Sequence, residues 1–190
     1  MPFAFSLLAF VFAFTSIASA QQLVHSCARP DQIAVKHLHL DLKVDFAEKK
    51  LVGSAALTLK RQTDANELLL DTNNLSISKI VAGDQELKWR LGKHVSSLGQ
   101  SLSIELPAGV DKVNVFYSSS PGAEAVQWLS PEQTTDKKHP FLFTQSQAIL
   151  ARTWVPCQDT PAVRMTYSAK IEVPAELMAV MSASLSLIHI

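Results

Sequence analysis

Alternating polar and apolar residues mark the most regular part of the chain. From residue 37 to residue 46 the two kinds of side chain alternate strictly. Successive side chains of a β-strand point to opposite faces, so this pattern predicts a strand with one buried face. After a turn at 47–50 the alternation resumes over residues 51–59, which predicts a hairpin with Gly53 as a candidate bulge.

Several further short apolar stretches are separated by turn residues and predict more strands. They cover residues 67–70, 77–81, 87–91, 102–106, 113–117 and 164–173, and residues 174–183 head into another strand. A helical period is nearly absent. Closely spaced strands without helices indicate an all-β domain of mostly antiparallel sheets, either a sandwich or a curved sheet.

The first twenty residues have the features of a targeting signal. They carry no charge, run apolar through residues 7–14 and end in Ala18-Ser19-Ala20. This is typical of a secretory signal with cleavage between Ala20 and Gln21, although the usual basic residue near the start is missing. We therefore expect a secreted or periplasmic protein. An uncleaved signal that tethers the chain to a membrane is the alternative.

Composition narrows the classes of partner. The 190 residues include 17 basic and 17 acidic side chains, so the formal net charge is zero and no basic patch for nucleic acid is indicated. An apolar fraction of 47% suffices for a core. After the signal, no stretch approaches the roughly 18 apolar residues that a membrane span needs. We expect no nucleic-acid partner and, once the signal is cleaved, no membrane contact.

The end of the chain lacks a turn, cap or charge that would close a domain. We interpret residues 21–183 as one β domain that is incomplete at its C-terminal side, and residues 184–190 as a non-native tail. Cys27 and Cys157 could pair in an oxidising compartment, or remain separate thiols with Cys157 buried as a small apolar side chain.

A search for catalytic and metal-binding motifs finds little. His37 and His39 share one strand face and could hold a metal together, but no third ligand is visible, so two solvent-facing histidines are the simpler interpretation. No His-Glu-x-x-His, serine nucleophile or phosphate-binding glycine loop is present. The fragment therefore carries no catalytic residue and no metal site of its own.

The stretch 127–160 is too aromatic for a linker and contains the triplet Gln145-Ser146-Gln147. In an extended chain both amides would project to the same side. An amide oxygen accepts a hydrogen bond from an ammonium group, and its NH2 group donates to a carbonyl, so the pair suits a polar substrate. Hydrogen bonds to loop backbone are the alternative.

Four segments in this order and spacing resemble the N-terminal domain of the M1 family of zinc aminopeptidases, on its leukotriene A4 hydrolase branch. They are residues 36–40, residues 125–134, Gln-Ser-Gln-Ala at 145–148 and Pro-Cys-Gln-Asp-Thr-Pro at 156–161. The resemblance extends over residues 24–183. It implies a saddle-shaped, mostly antiparallel β domain, followed in the family by a zinc-binding catalytic domain and a helical domain that are absent here.

The resemblance also implies roles for three residues of the Gln-Ser-Gln-Ala stretch at 145–148. Gln147 would bind the free amino group of a peptide substrate, Gln145 would shape the cleft beside it, and Ala148 would line it. Other branches of the family carry Glu at the position of Gln147. The family's zinc ligands lie downstream of residue 183, so zinc is expected as the cofactor of the parent protein and not of this fragment.

The resulting hypothesis is the substrate-recognising domain of an exported zinc aminopeptidase, whose partners are peptides with a free N-terminus and the missing domains of the same chain. The fragment alone should be inactive. Two alternatives stay open: a secreted β-sandwich that binds ligands without catalysis, and an epoxide hydrolase of the leukotriene A4 type.

Overall fold

A computed structural model describes residues 25–185. Within that range the strands are β1 (Ile33–Asp45), β2 (Lys50–Arg61), β3 (Glu67–Thr72), β4 (Ser76–Ala82), β5 (Gln85–Glu86), β6 (Trp89–Leu91), β7 (Gln100–Glu105), β8 (Lys112–Ser118), β9 (Val126–Leu129), β10 (Phe141–Thr144) and β11 (Thr166–Glu172). Helical structure in these residues is limited to 3₁₀ turns at Pro131–Gln133 and Ala151–Thr153. The predicted signal (1–20), with its cleavage point after Ala20, lies outside the described residues, as do residues 186–190 of the predicted tail.

The strands form three sheets. The largest has six strands in the order β11-β1-β2-β8-β4-β5, a second has the order β3-β7-β6, and β9 pairs with β10. All pairs are antiparallel except β1 with β11, which is parallel. The prediction of an all-β, mostly antiparallel domain is therefore confirmed.

One core joins the two larger sheets. From Leu38 to Val44 every second residue of β1 is buried, with Leu38, Leu40 and Leu42 between 1% and 6% exposed. These side chains share a cluster with Leu68 and Ile104 of the three-stranded sheet. Burying an aliphatic side chain of this size contributes about 1.5–3 kcal/mol, so the alternation in the sequence supplies most of the force that holds the sheets together.

Gly53 lies in β2 without a bulge, contrary to the prediction. The pairing with β1 is continuous there, with Leu42 opposite Gly53, and the register shift falls between Val35 and His37 instead. Gly53 is required for another reason. A Cβ atom at this position would lie 2.0 Å from the backbone oxygen of Asp41, so the close approach of the two strands excludes any larger residue.

The predicted strand at 87–91 is divided between two sheets. Leu87 donates its backbone N–H to Ile80 of β4 at 2.9 Å, whereas the Lys88 carbonyl accepts from Glu105 of β7. The chain thus crosses from one sheet to the other between these residues, and of the predicted strand only Trp89–Leu91 is formed, as β6. The strand predicted within 174–183 is wrong, since this segment contains a turn and irregular backbone but no strand.

The two cysteines are separate thiols. Cys157 is buried, as the second interpretation of the sequence expected, and burial raises the pKa of its thiol well above the usual value. The pKa of the Cys27 thiol is also raised, mainly because the side chain is partly buried and secondly because the Asp71 carboxylate is nearby. Among the described residues, no helix is long and apolar enough to cross a membrane.

Candidate functional site

The β9–β10 hairpin leads directly into residues 145–148, which include both glutamines of interest. Leu142 of β10 lies opposite Trp128 of β9, and both pack on a small second core that includes Val44 and Val126. The side chains of Phe141 and Phe143 point outward and are 53% and 44% exposed. The hairpin is therefore anchored through one face and presents aromatic rings on the other.

Residues 145–148, called the amide turn below, follow β10 directly. The Gln145 backbone N–H donates to the Ala125 carbonyl at 2.8 Å, which continues the hairpin by one residue. The chain then turns, because the Leu150 N–H donates to the Ser146 carbonyl at 2.9 Å. The sequence interpretation assumed an extended backbone through Gln147, but the backbone turns there.

The two glutamines have different surroundings in the turn. The Gln145 side-chain oxygen accepts a hydrogen bond from the Gln147 backbone N–H at 3.0 Å, so this amide stabilises the turn itself. The Gln147 side chain is exposed and forms no hydrogen bond with any residue in the described range. Ala148 is exposed beside it, after a cis peptide bond. Gln147 therefore offers a complete amide to an incoming group.

The amide turn is held from below by the next segment of chain. The Trp154 indole Nε1 donates to the Ser146 hydroxyl at 3.0 Å. The buried Thr153 hydroxyl donates to the Leu150 carbonyl at 2.7 Å and accepts from the Ala125 N–H at 3.2 Å. Ala125 thus bonds the start of the turn at Gln145 and also bonds Thr153, whose hydroxyl bonds Leu150 just after the turn.

A buried group of charged residues, called the Arg152 cluster, lies behind this support; it consists of Arg152, Asp71 and Asp159. Arg152 is 2% exposed and its Nε lies 3.0 Å from Asp159 Oδ2. Its two terminal nitrogens donate to the carbonyls of Leu98 and His25 at 2.8 Å each. A buried guanidinium requires such partners, and here it joins three distant segments.

Asp71, which is fully buried, completes the cluster. One of its oxygens accepts from the Cys27 N–H at 2.7 Å and the other from the Asp159 N–H at 3.0 Å, while Arg152 Nη1 lies 3.8 Å away. Gln158 bonds β1 at both ends of its amide, to the Val35 N–H and the Ile33 carbonyl. The residues of the 156–161 motif thus serve the fold.

Metal binding finds no support in residues 25–185. No group of three or more His, Cys, Asp or Glu side chains in that range is placed to hold a metal ion. His37 and His39 instead share the Ser168 hydroxyl of β11, at 3.0 and 2.8 Å. These residues do not fit a zinc site, and no chemical step is assigned to them.

Arg152, Thr153 and Trp154 were missed as candidates in the sequence. One signal pointed to Arg152, a lone charged residue inside the run Ile-Leu-Ala-Arg-Thr-Trp-Val at 149–155. A charge surrounded by apolar residues is buried only when it is paired, so the run implied partners without showing where they come from.

Comparison with known proteins places the fold. The Peptidase M1 N-terminal domain family matches residues 34–185. Leukotriene A-4 hydrolase of Xenopus laevis is 41% identical over 164 residues, which are 83% of this chain and 27% of that protein. Leucine aminopeptidase 2 of Pyricularia oryzae is 37% identical over 156 residues, 78% of this chain and 25% of that protein.

The solved structure of yeast LTA4 hydrolase in complex with bestatin superimposes with a TM-score of 0.75 at 30% identity, covering 84% of this chain and 26% of that one. The chain therefore spans about a quarter of the length of these relatives. Since the family match extends over most of the sequence and the strands agree with it, the chain belongs to the M1 peptidase family and corresponds to its N-terminal domain.

Proposed function

We propose that this domain recognises the free amino group of peptides for a zinc aminopeptidase, with Gln147 as the group that binds the amine. The observation that supports the proposal is the exposed amide of Gln147, which has no hydrogen-bond partner within residues 25–185 and lies on a turn whose backbone is bonded at Gln145 and Ser146. The similarity to a leucine aminopeptidase supports the same activity.

The chemistry follows from what the turn leaves available. The Gln145 oxygen already accepts from the Gln147 N–H, whereas the Gln147 side-chain oxygen has no partner within residues 25–185. This oxygen would accept a hydrogen bond from the substrate ammonium, and its NH2 group would donate to a substrate carbonyl. The methyl group of Ala148 leaves room beside it.

Zinc belongs to the part of the parent protein outside this chain, as the family resemblance implies. There it would supply the chemistry that cleaves the peptide bond. The contribution of this domain is to hold the substrate amine at a fixed place, so that the first peptide bond is the one presented for cleavage. By itself the domain is proposed to be inactive.

Export is a separate part of the proposal and rests on residues 1–20 alone. We propose a secreted or periplasmic protein that begins at Gln21, with residues 21–183 as the native domain. N-terminal sequencing of the protein recovered from the native host distinguishes the alternatives: cleavage after Ala20 supports export, while an intact apolar N-terminus in the membrane fraction supports a tether.

The activity is tested on the complete reading frame. We expect it to encode His-Glu-x-x-His with a second Glu about twenty residues further on, and the purified protein to hydrolyse aminoacyl anilides until a zinc chelator is added. Hydrolysis of leukotriene A4 without anilide turnover would favour the epoxide hydrolase, an activity suggested by the name of the Xenopus relative. A complete reading frame that lacks both His-Glu-x-x-His and the second Glu would overturn the proposal.

The non-catalytic module is tested by expressing residues 21–183 alone. The outward-facing rings of Phe141 and Phe143 are an apolar surface next to the amide turn, and such a surface promotes association when it is left uncovered. We expect aggregation or loose packing of this piece. A monodisperse protein with a cooperative thermal transition would support an autonomous binding module.

A further inference from the structure

We propose that Trp154 is a positioning residue for substrate recognition, acting through the Ser146 hydroxyl on the amide turn. The inference rests on the proposed function of Gln147. The observation that supports it directly is the 3.0 Å hydrogen bond that the Trp154 indole Nε1 donates to Ser146 Oγ. Ser146 lies between the two glutamines, so its side-chain bond to Trp154 joins the turn to the body of the domain, in addition to the backbone bond of Gln145 with Ala125.

Trp154 is well placed to transmit rigidity. Its partly buried ring packs against both hydrophobic clusters of the domain. Its backbone N–H donates to the Ala151 carbonyl at 3.0 Å, which fixes it at the end of the 3₁₀ turn Ala151–Thr153. The indole N–H therefore extends from a fixed ring toward an otherwise exposed turn.

The turn keeps its backbone bonds without this contact. The Gln145 N–H to Ala125 carbonyl bond and the Leu150 N–H to Ser146 carbonyl bond do not involve the indole. Loss of the indole N–H should consequently leave the fold intact and widen the range of positions that the Gln147 amide occupies. This separates a positioning role from a purely structural one.

Trp128 supplies a matched control. It is also partly buried against the second hydrophobic cluster, where its ring meets Phe46 edge to face at 5.5 Å. Its indole Nε1 is buried and has no hydrogen-bond partner within residues 25–185. Replacement of either tryptophan by phenylalanine removes the same atoms, but only one of the two replacements breaks a hydrogen bond to the amide turn.

The first measurement compares these variants in the full-length enzyme. Trp154→Phe should raise KM for aminoacyl anilides by roughly three- to tenfold, the range that corresponds to one neutral hydrogen bond, with a smaller change in kcat. Ser146→Ala removes the acceptor in place of the donor and should give the same increase. Trp128→Phe should leave KM within about twofold, because it breaks no hydrogen bond.

A double-mutant cycle distinguishes positioning from general damage. If Trp154 acts by placing the Gln147 amide, Trp154→Phe should change KM by less than about twofold once Gln147 is alanine. Trp154→Phe with Ser146→Ala should likewise be no worse than either change alone. An equal effect of Trp154→Phe in both Gln147 backgrounds, or an equal effect of Trp128→Phe, would overturn the inference.

The outcomes also separate this inference from the proposed function. If Gln147→Ala lowers activity while Trp154→Phe and Ser146→Ala do not, Gln147 keeps its role and the positioning role of Trp154 is wrong. If Gln147→Ala itself has no effect, the proposed function fails and the inference fails with it. Should Trp154→Phe fail to fold, Ser146→Ala in both Gln147 backgrounds decides the question.

Discussion

Only three residues of chain separate the amide turn from Arg152, yet the turn and the Arg152 cluster differ in how their polar groups are surrounded. In the cluster, the guanidinium and the Asp71 carboxylate are buried, the Asp159 carboxylate is 11% exposed, and all three are bonded to one another or to backbone. In the turn, Gln147 is exposed and keeps its amide free of partners in the described range.

This difference separates residues that stabilise the domain from residues available to a ligand. A buried charge with all its partners inside the fold has no capacity left for a substrate, and its removal leaves other charges unpaired. An exposed amide on a firmly held turn costs the fold little and can be used entirely for recognition. Substitutions in the two regions should therefore affect different measurements.

The largest effect is expected from Arg152→Met. It leaves Asp71 buried without its cation, and breaking such a pair from one side costs about 3–5 kcal/mol. Thermal unfolding of the full-length protein should occur at a much lower temperature, or the soluble yield should collapse. Arg90→Ala is the control, since the pair of Arg90 with Glu67 is largely exposed and worth at most about 1 kcal/mol. Equal stability of both variants would contradict the assignment.

Gln147→Ala should have the reverse profile. A hydrogen bond to a charged ammonium is worth about 1.5–3 kcal/mol, so kcat/KM for aminoacyl anilides should fall roughly ten- to a hundredfold. Zinc content and the unfolding temperature should stay nearly constant, because the side chain is exposed and bonds nothing in the described range. Gln147→Glu should retain far more activity, since a carboxylate binds the same ammonium. Unfolding of Gln147→Ala would show that the amide is structural.

Gln145→Ala should have a smaller effect on the same assay. It removes the oxygen that accepts from the Gln147 N–H and so loosens the turn without removing the proposed binding group. We expect a reduction in kcat/KM of roughly three- to tenfold, the range that corresponds to one neutral hydrogen bond. A loss as large as that of Gln147→Ala would assign the amine contact to both glutamines.

The smallest expected effect concerns the thiols on either side of Asp71. Because burial raises both pKa values, neither cysteine should carry appreciable thiolate at pH 7 to 8, and alkylation of the native protein should be slow at both. Labelling of Cys27 should accelerate steadily as the pH is raised, and that of Cys157 only on unfolding. Mass spectrometry after timed iodoacetamide treatment checks this order, which rapid labelling of native Cys157 would contradict.

The sequence predicted those strands whose apolar faces are buried. The hairpin of β1 and β2 follows directly from alternation, because its alternating buried positions pack into the main core or, at Val44 and Leu51, into the second one. The strands β9 and β10 were missed because Phe141 and Phe143 point outward and the usual pattern is reversed. The parallel pairing of β11 with β1 was also inaccessible, since a local pattern does not identify a partner about 130 residues away.

The candidate site shows a similar division. The sequence left two uses open for the glutamines, a polar substrate group or hydrogen bonds to loop backbone. Gln145 takes the second, because its side-chain oxygen accepts from the Gln147 N–H, whereas the substrate role of Gln147 stays a prediction. The support from Thr153 and Trp154, and the partners of Arg152, depend on contacts between segments far apart in sequence. Such contacts follow from the folded arrangement and leave only a weak trace in the local pattern.

The central claim is that Gln147 reads the free amine, and one comparison of affinities tests it most directly. The full-length enzyme and its Gln147→Ala variant are each titrated with an amino-acid-based competitive inhibitor and with the same compound acetylated on its amine. In the unmutated protein the acetylated compound should have the larger inhibition constant. The ratio of the acetylated to the free-amine inhibition constant should be roughly ten- to a hundredfold smaller in the variant, because only the free ammonium group uses the Gln147 amide. A ratio that is the same in both proteins would contradict the claim.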